Sequence, residues 1–292
     1  MKKGLLVVNE FLNDYKDRFN ALYLDLEQAF LSNDIVLTRV TNKECLIVLN
    51  EKKQDYDFVL FWDKDVNLAI HLENLGYQVF NNSEAIAICD DKAKTYLTLE
   101  PYGIKMPKTI ISPFTFSNNP FNINNIDYLD DVERLLHFPL VLKEAFGSFG
   151  KEVYLINNKE ELINKTLELS PRSLLYQEYI ASSHGRDVRI EVVGGKVLGA
   201  VLRKNDNGDF RSNVLQGGSM SQIDIDPSFI KMAEDVSKIL KLDFAGIDIM
   251  FGINNEPILC EVNSNVHFRT FAKTTGINLA KVIAEYIKNK IK

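Results

Sequence analysis

Only three cysteines, Cys45, Cys89 and Cys260, occur in the 292 residues, far apart and in apolar surroundings. Such spacing offers neither a disulfide framework nor a cysteine zinc site, and it fits a reducing, cytoplasmic compartment. The four histidines, His71, His137, His184 and His267, lack metal-ligand spacing. No serine or cysteine triad assembles around them, and His267 reads as structural. No apolar run reaches the length of a membrane span. The opening Met1-Lys2-Lys3-Gly4-Leu5-Leu6-Val7-Val8 meets Asn9 and Glu10 too soon for a signal peptide, so it reads as a buried strand. No dinucleotide glycine fingerprint follows that strand, which argues against a nicotinamide site. A net charge of −6 argues against a nucleic-acid surface. There is no internal repeat and no low-complexity tract.

What is present is an ordinary globular composition, 46% hydrophobic and 25% charged, in a chain long enough for two or three domains. Residues 1 to about 90 alternate strand and helix patterns, which implies a parallel sheet in an α/β lobe. A helical stretch from Ser83 to about Tyr102 breaks near Cys89-Asp90-Asp91-Lys92, where an aspartate can cap the second half, and Gly103 ends it. Residues of about 108 to 180 form a second unit, in which Asn158 caps a helix. From about 181 a β-rich unit begins. Gly194-Gly195 marks a hairpin, Asn205 to Gly218 reads as a mobile loop, Asp226-Pro227 opens a helix, and a last helix covers about Asn278 to Lys290.

The most informative stretch runs from Phe244 to Asn265. Two apolar runs flank Gly252-Ile253-Asn254-Asn255-Glu256-Pro257, a hairpin signal. A turn centred on Asn254-Asn255 places Asp248 opposite Glu261, with Asn263 on the same face as Glu261. Like charges across a ladder repel, and a hard divalent cation offsets that repulsion. Two carboxylates and an amide oxygen suit magnesium beside nucleotide phosphates. The bland alternative is a solvated acidic face, which the apolar neighbours Ile247, Ile249, Leu259 and Val262 weaken.

Other residues are less telling one at a time. Lys143 sits inside an apolar strand, where a charge is costly without a partner. Gly147-Ser148-Phe149-Gly150 follows and could approach phosphates through its amides, although it lacks Walker spacing. Lys92 lies in the charge run Asp90-Asp91-Lys92-Ala93-Lys94 and, taken alone, reads as a solvated helix end. Arg203 and Arg211 flank the glycine-bearing loop that holds Asn213, an arrangement that suits a lid over phosphates. Their bland reading is surface ion pairing.

In combination these segments resemble the ATP-grasp superfamily. They are Lys143 with Gly147 to Gly150, Gln177-Glu178-Tyr179-Ile180, Gly185-Arg186-Asp187-Val188-Arg189, Gly208-Asp209-Phe210-Arg211-Ser212-Asn213, Asp248, and Glu261-Val262-Asn263-Ser264-Asn265. Within it they are most similar to RimK-type α-L-glutamate ligases and their amino-acid ligase relatives. The resemblance covers residues of about 80 to 290. It implies an ATP-grasp fold of α/β and α+β character, with a Rossmann-like pre-grasp α/β domain at 1–90. A central subdomain at 91–180 and a C-terminal subdomain at 181–292 would follow, the latter carrying the metal site. It also implies an ADP-forming carboxylate–amine ligase that works through an acyl phosphate and adds an amino acid such as glutamate to an amine acceptor.

The same resemblance implies roles. Lys92 and Lys143 would hold the ATP phosphates, with Gly147, Ser148, Phe149 and Gly150 folding over them. Gln177, Glu178, Tyr179 and Ile180 would line the adenine slot, and Asp187 would face the ribose side. Arg203, Arg211 and Asn213 would face the γ-phosphate and the reacting carboxylate. Asp248, Glu261 and Asn263 would hold two magnesium ions, with Mn2+ able to substitute. The expected partners are amino acids or peptides, with a protein acceptor allowed, no nucleic acid and no membrane; a homo-oligomer is allowed. Val266-His267-Phe268-Arg269 stands where members that modify a ribosomal protein carry a proline-glycine segment, which speaks against that substrate. Two alternatives stay open: a nucleotide-binding module without turnover, and a ligase acting on a peptide or carrier protein. ADP formation with mixed amino acids separates the first from an enzyme.

Overall fold

Strand β1 (Lys2–Val8) is apolar on both faces from Gly4 onward, the pattern of a strand covered on both sides. In the computed structural model, which describes residues 1–12, 16–50, 52, 55–147, 152–212 and 218–291, it is an inner strand of a parallel sheet. Its neighbours are β2 (Ile35–Thr41) and β3 (Phe58–Trp62), with β4 (Gln78–Phe80) outside β3. Leu6, Val8, Phe58 and Leu60 face helix α1 (Lys16–Leu31). Leu5, Val7, Val59 and Phe61 face helix α2 (Val66–Asn74). This period of two sorts the sheet into two cores.

Helices α3 (Ser83–Asp90) and α4 (Lys92–Leu99) meet at the expected break. The Asp91 side chain accepts from the Ala93 and Lys94 amides at 3.0 and 3.2 Å, a standard N-cap. Just before α3, the buried Asn81 amide ties the first sheet to the third. It donates to the Phe244 and Ser264 carbonyls at 2.9 and 3.0 Å and accepts from the Asp243 amide at 2.7 Å. Asn81→Ala leaves these buried backbone groups unmatched and is expected to cost about 3 kcal/mol in chemical denaturation. An unchanged midpoint would show that the junction draws its stability from packing alone.

The second sheet is antiparallel, in the order β5 (Thr109–Ile111), β8 (Leu174–Glu178), β6 (Leu140–Glu144), β7 (Val153–Ile156). Helices α5 (Leu129–Leu136) and α6 (Lys159–Leu169) cover it. The Asn158 cap on α6 is found as expected, accepting from the Glu161 amide at 3.0 Å. Helix α5 has no counterpart in the sequence reading, because its stripe of Leu129, Val132 and Leu136 spans only two turns.

The third sheet is also antiparallel. Its order is β11 (Ser219–Gln222), β10 (Lys196–Lys204), β9 (Arg186–Val193), β12 (Phe244–Phe251), β13 (Pro257–Asn263). Gly194 and Gly195 both have positive φ, 58° and 74°, as the tight β9–β10 turn requires. Even-numbered residues Val188, Ile190 and Val192 pack beneath α7 (Pro227–Ile239), leaving the odd-numbered face of β9 for the site. Helix α8 (Phe268–Thr275), short and without a side-chain N-cap, was not anticipated. Helix α9 (Leu279–Lys290) buries Leu279, Ile283 and Ile287 beside α1 on the first sheet. No helix among the described residues is long and apolar enough to cross a membrane.

Candidate functional site

The β12–β13 hairpin pairs Asp248 with Glu261, as the sequence predicts, but by a different route. The turn is not the two-residue Asn254-Asn255 turn. It has three residues, with Asn255 left-handed at φ 59° and the Gly252 amide donating to the Glu256 carbonyl at 2.8 Å. That shifts the register by one, and a bulge between Asp248 and Ile249 shifts it back. On the other side Asp248 pairs with Arg189 of β9. The row Arg189–Asp248–Glu261 therefore crosses three strands on one face. The next row is Glu191–Gly246–Asn263.

Asp248 is 3% exposed and gathers two guanidinium groups. Arg189 Nη2 donates to Oδ2 at 2.8 Å, Arg189 Nε donates to Oδ1, and Arg203 Nη2 lies 3.0 Å from Oδ2. Burial alone would raise the Asp248 carboxyl, but Arg189 and Arg203 outweigh it and hold the group below its usual range. Arg203 also grips Asp187 through two bonds, at 2.7 and 2.5 Å. The Asn263 amide lies 3.5 Å from Asp248 Oδ2. Among the described residues no three His, Cys, Asp or Glu side chains gather for a metal. The third oxygen here belongs to the Asn263 amide. Two carboxylates and an amide on one face remain a fitting oxygen set for a hard divalent cation.

Two lysines reach this face from other parts of the fold. Lys92, at the start of α4, is 8% exposed, and this overturns the solvated-end reading of its charge run. Its Nζ donates to the Gly147 carbonyl at 3.0 Å and lies 3.4 Å from Glu261 Oε1. Lys143 on β6 is 5% exposed, with Nζ 3.3 Å from the Tyr96 hydroxyl, which itself donates to the Cys260 carbonyl at 2.7 Å. Both lysines line a cleft of about 370 Å³ that also receives Asp187, Arg203, Asp248, Glu261 and Asn263.

Gln177, Glu178, Tyr179 and Ile180 line the same cleft where β8 leaves the second sheet for the third. Gln177 donates to the Thr109 hydroxyl at 2.7 Å, and Glu178 accepts from the Lys108 amide at 3.0 Å. Arg211 lines it too, paired with Asp209 at 2.7 Å. Gly147 is not among the lining residues and joins the site through Lys92. Ser148, Phe149, Gly150 and Asn213, all singled out from the sequence, lie outside the described residues. Burial pushes the Cys89 and Cys260 thiols up to about 12, so neither supplies a thiolate nucleophile at neutral pH.

The sequence reading missed Glu191. This residue is 1% exposed and lines the cleft, and neither carboxylate oxygen has a hydrogen-bond partner among the described residues. Burial pushes its carboxyl up to about 7 against the pull of Arg189. The signal was available in the alternation of Asp187, Arg189 and Glu191 along one strand.

His267 also lines the cleft, its ring 4.4 Å from that of Phe19. Burial, with Arg18 and Arg189 nearby, pushes it down from 6.5 to about 4. The unfolded chain therefore takes up the proton first. The stabilisation is full above pH 6.5 and is lost as pH falls to 4, a change of about 3 kcal/mol. His267→Leu is expected to flatten that part of the stability–pH curve. An unaltered curve would assign the slope to other groups.

Comparison with known proteins follows the same lines. The profile of the RimK-like ATP-grasp domain matches residues 89–287. Human beta-citrylglutamate synthase B is 34% identical over 225 residues, covering 77% of this chain but only 56% of the human protein. A probable alpha-L-glutamate ligase of Legionella pneumophila is 35% identical over 229 residues, 76% of this chain and 70% of that protein. The crystal structure of a RimK-domain ATP-grasp protein from Sphaerobacter thermophilus shares the fold with a TM-score of 0.73 at 16% identity, covering 97% of this chain and 98% of that one.

Proposed function

The chain belongs to the RimK-like ATP-grasp family, and from that premise we propose that it is an ATP-dependent carboxylate–amine ligase that uses L-glutamate as the amine. The observation that carries this reading is the row Arg189–Asp248–Glu261, with Asn263 beside it, facing Lys92 and Lys143 within one cleft. A carboxylate does not condense with an amine unaided. Transfer of the ATP γ-phosphoryl group to it gives an acyl phosphate, which an amine attacks with loss of phosphate. The first step depends mainly on positioning and charge neutralisation.

In this reading Lys92 and Lys143 hold the phosphates and the Gly147–Gly150 loop covers them. Gln177 to Ile180 line the adenine slot, and Asp187 faces the ribose side. Arg203, Arg211 and Asn213 orient the γ-phosphate and the carboxylate. Asp248, Glu261 and Asn263 hold two magnesium ions, replaceable by Mn2+, whose charge offsets that of the phosphates. Residues 1–90, 91–180 and 181–292 serve as three working parts. Citrate has no nitrogen, so in a citrylglutamate the amine is that of glutamate; by analogy this reading puts glutamate on the amine side, in place of the addition to an amine acceptor expected from the sequence.

The test is an ADP-release screen with Mg-ATP, L-glutamate and a panel of carboxylic acids beginning with citrate, with mass spectrometry of the product. An amide product that appears only when acid, glutamate and ATP are all present is expected. ATP binding without ADP release for any acid and amine pair would leave a nucleotide-binding module instead.

A further inference from the structure

Resting on the ligase reading, we propose that Glu191 is the specificity residue for the amine substrate, its carboxylate receiving the ammonium group of an α-amino acid. Glu191 pairs with Gly199 on one side and Gly246 on the other, so neither residue directly across from it carries a side chain, and Phe271 and Ile277 lie over Gly199. A Cβ on Gly246 would lie 3.2 Å from Glu191 Oε2 and 2.7 Å from Arg189 Nη1. Glycine there leaves the room that the Arg189 guanidinium and the Glu191 carboxylate occupy over the strand.

The carboxylate is buried with both oxygens unmatched, an arrangement a fold rarely keeps without use. The nearest guanidinium, that of Arg189, spends its Nε and Nη2 on Asp248. A buried acceptor without a donor calls for a ligand that brings donors.

Position along the cleft points the same way. The segment Gln177 to Ile180 lies at the start of β9, the row Arg189–Asp248–Glu261 comes next, and Glu191 lies one row further on. Beyond it the third sheet meets the first, where Trp62 stacks on Phe244 at 5.0 Å. At that end of the cleft Asp63 Oδ2, Asn265 Oδ1 and Trp62 Nε1 are likewise buried without partners among the described residues. Three acceptor groups and one N–H donor match a zwitterion, whose ammonium supplies the donors and whose carboxylate accepts from the indole. The amine thus enters from the side of the metal row opposite the adenine slot.

The test compares wild type with Glu191→Gln and Glu191→Leu, using the acid found in the screen, L-glutamate, and hydroxylamine as a second acceptor. Hydroxylamine is largely uncharged at neutral pH and traps an acyl phosphate as the hydroxamate without ammonium recognition. Both variants are expected to lower the ratio of amide to hydroxamate, and raise KM for glutamate, by at least about tenfold, the loss of one charge-assisted bond. Glu191→Leu is expected to keep or raise Tm, because it removes an unmatched buried carboxylate. That outcome separates a binding role from a structural one. A ratio and a glutamate KM unchanged in both variants would overturn the proposal, as would a loss of hydroxamate in step with amide. Wild type that forms no hydroxamate with any acid would instead remove the ligase reading itself, and this inference with it.

Discussion

Glu261→Gln is expected to cut ADP release by about 10²–10³-fold while Tm changes little. The two effects separate because Glu261 is only partly buried, its nearest ionic partner being Lys92 at 3.4 Å. Asp248→Asn should lose as much activity, but with an added cost in stability. Its carboxylate matches two buried guanidinium groups, and removing one side of such a cluster costs about 3–5 kcal/mol. Arg203 keeps Asp187 in that variant, whereas Arg189 keeps no carboxylate within ion-pair distance among the described residues. ADP release and thermal unfolding of the two variants check this contrast. Turnover unchanged in either one would reject the assignment of these oxygens to a nucleotide-bound cation.

Lys143→Met is expected to raise KM for ATP by about 10–100-fold, the worth of one charge-assisted contact in a buried setting, with Tm unchanged or higher. Lys143 has no carboxylate partner within ion-pair distance among the described residues. It rests on the Tyr96 hydroxyl and ring, neutral partners for an ammonium group whose burial is costly. A methionine of similar length fills the same space without that cost. Nucleotide titration of the variant at fixed magnesium is the direct measurement. An ATP KM equal to that of wild type would make Lys143 a packing residue.

Local chemistry made much of this architecture readable beforehand. Gly194-Gly195 announced the β9–β10 turn, Asp226-Pro227 the start of α7, and Asp91 the break before α4. The pairing of Asp248 with Glu261 was also legible, although two compensating shifts produce it rather than one symmetric turn. What escaped notice depends on contacts between distant segments. Lys92 looks solvated within its own charge run and is buried only because Gly147 and Glu261 come to it. Glu191 reads as one acid among many until Gly199 and Gly246 are seen flanking it. Helix α8 has two buried anchors, Phe268 and Phe271, too few for a periodic signal. That these residues share one cleft is a property of three sheets together and of no single stretch.

Helix α9 has a bearing on how the protein is made. Its Ile283 and Ile287 share a core with Leu6, Leu22 and Phe30 of the first sheet and its helix. A ribosome working from the amino terminus finishes β1 to β4 long before it reaches residue 279. Until then that flank of the nascent sheet is covered by α1 alone, its second wall being supplied nearly two hundred residues later. The first sheet thus gains its full cohesion only once α9 has been added.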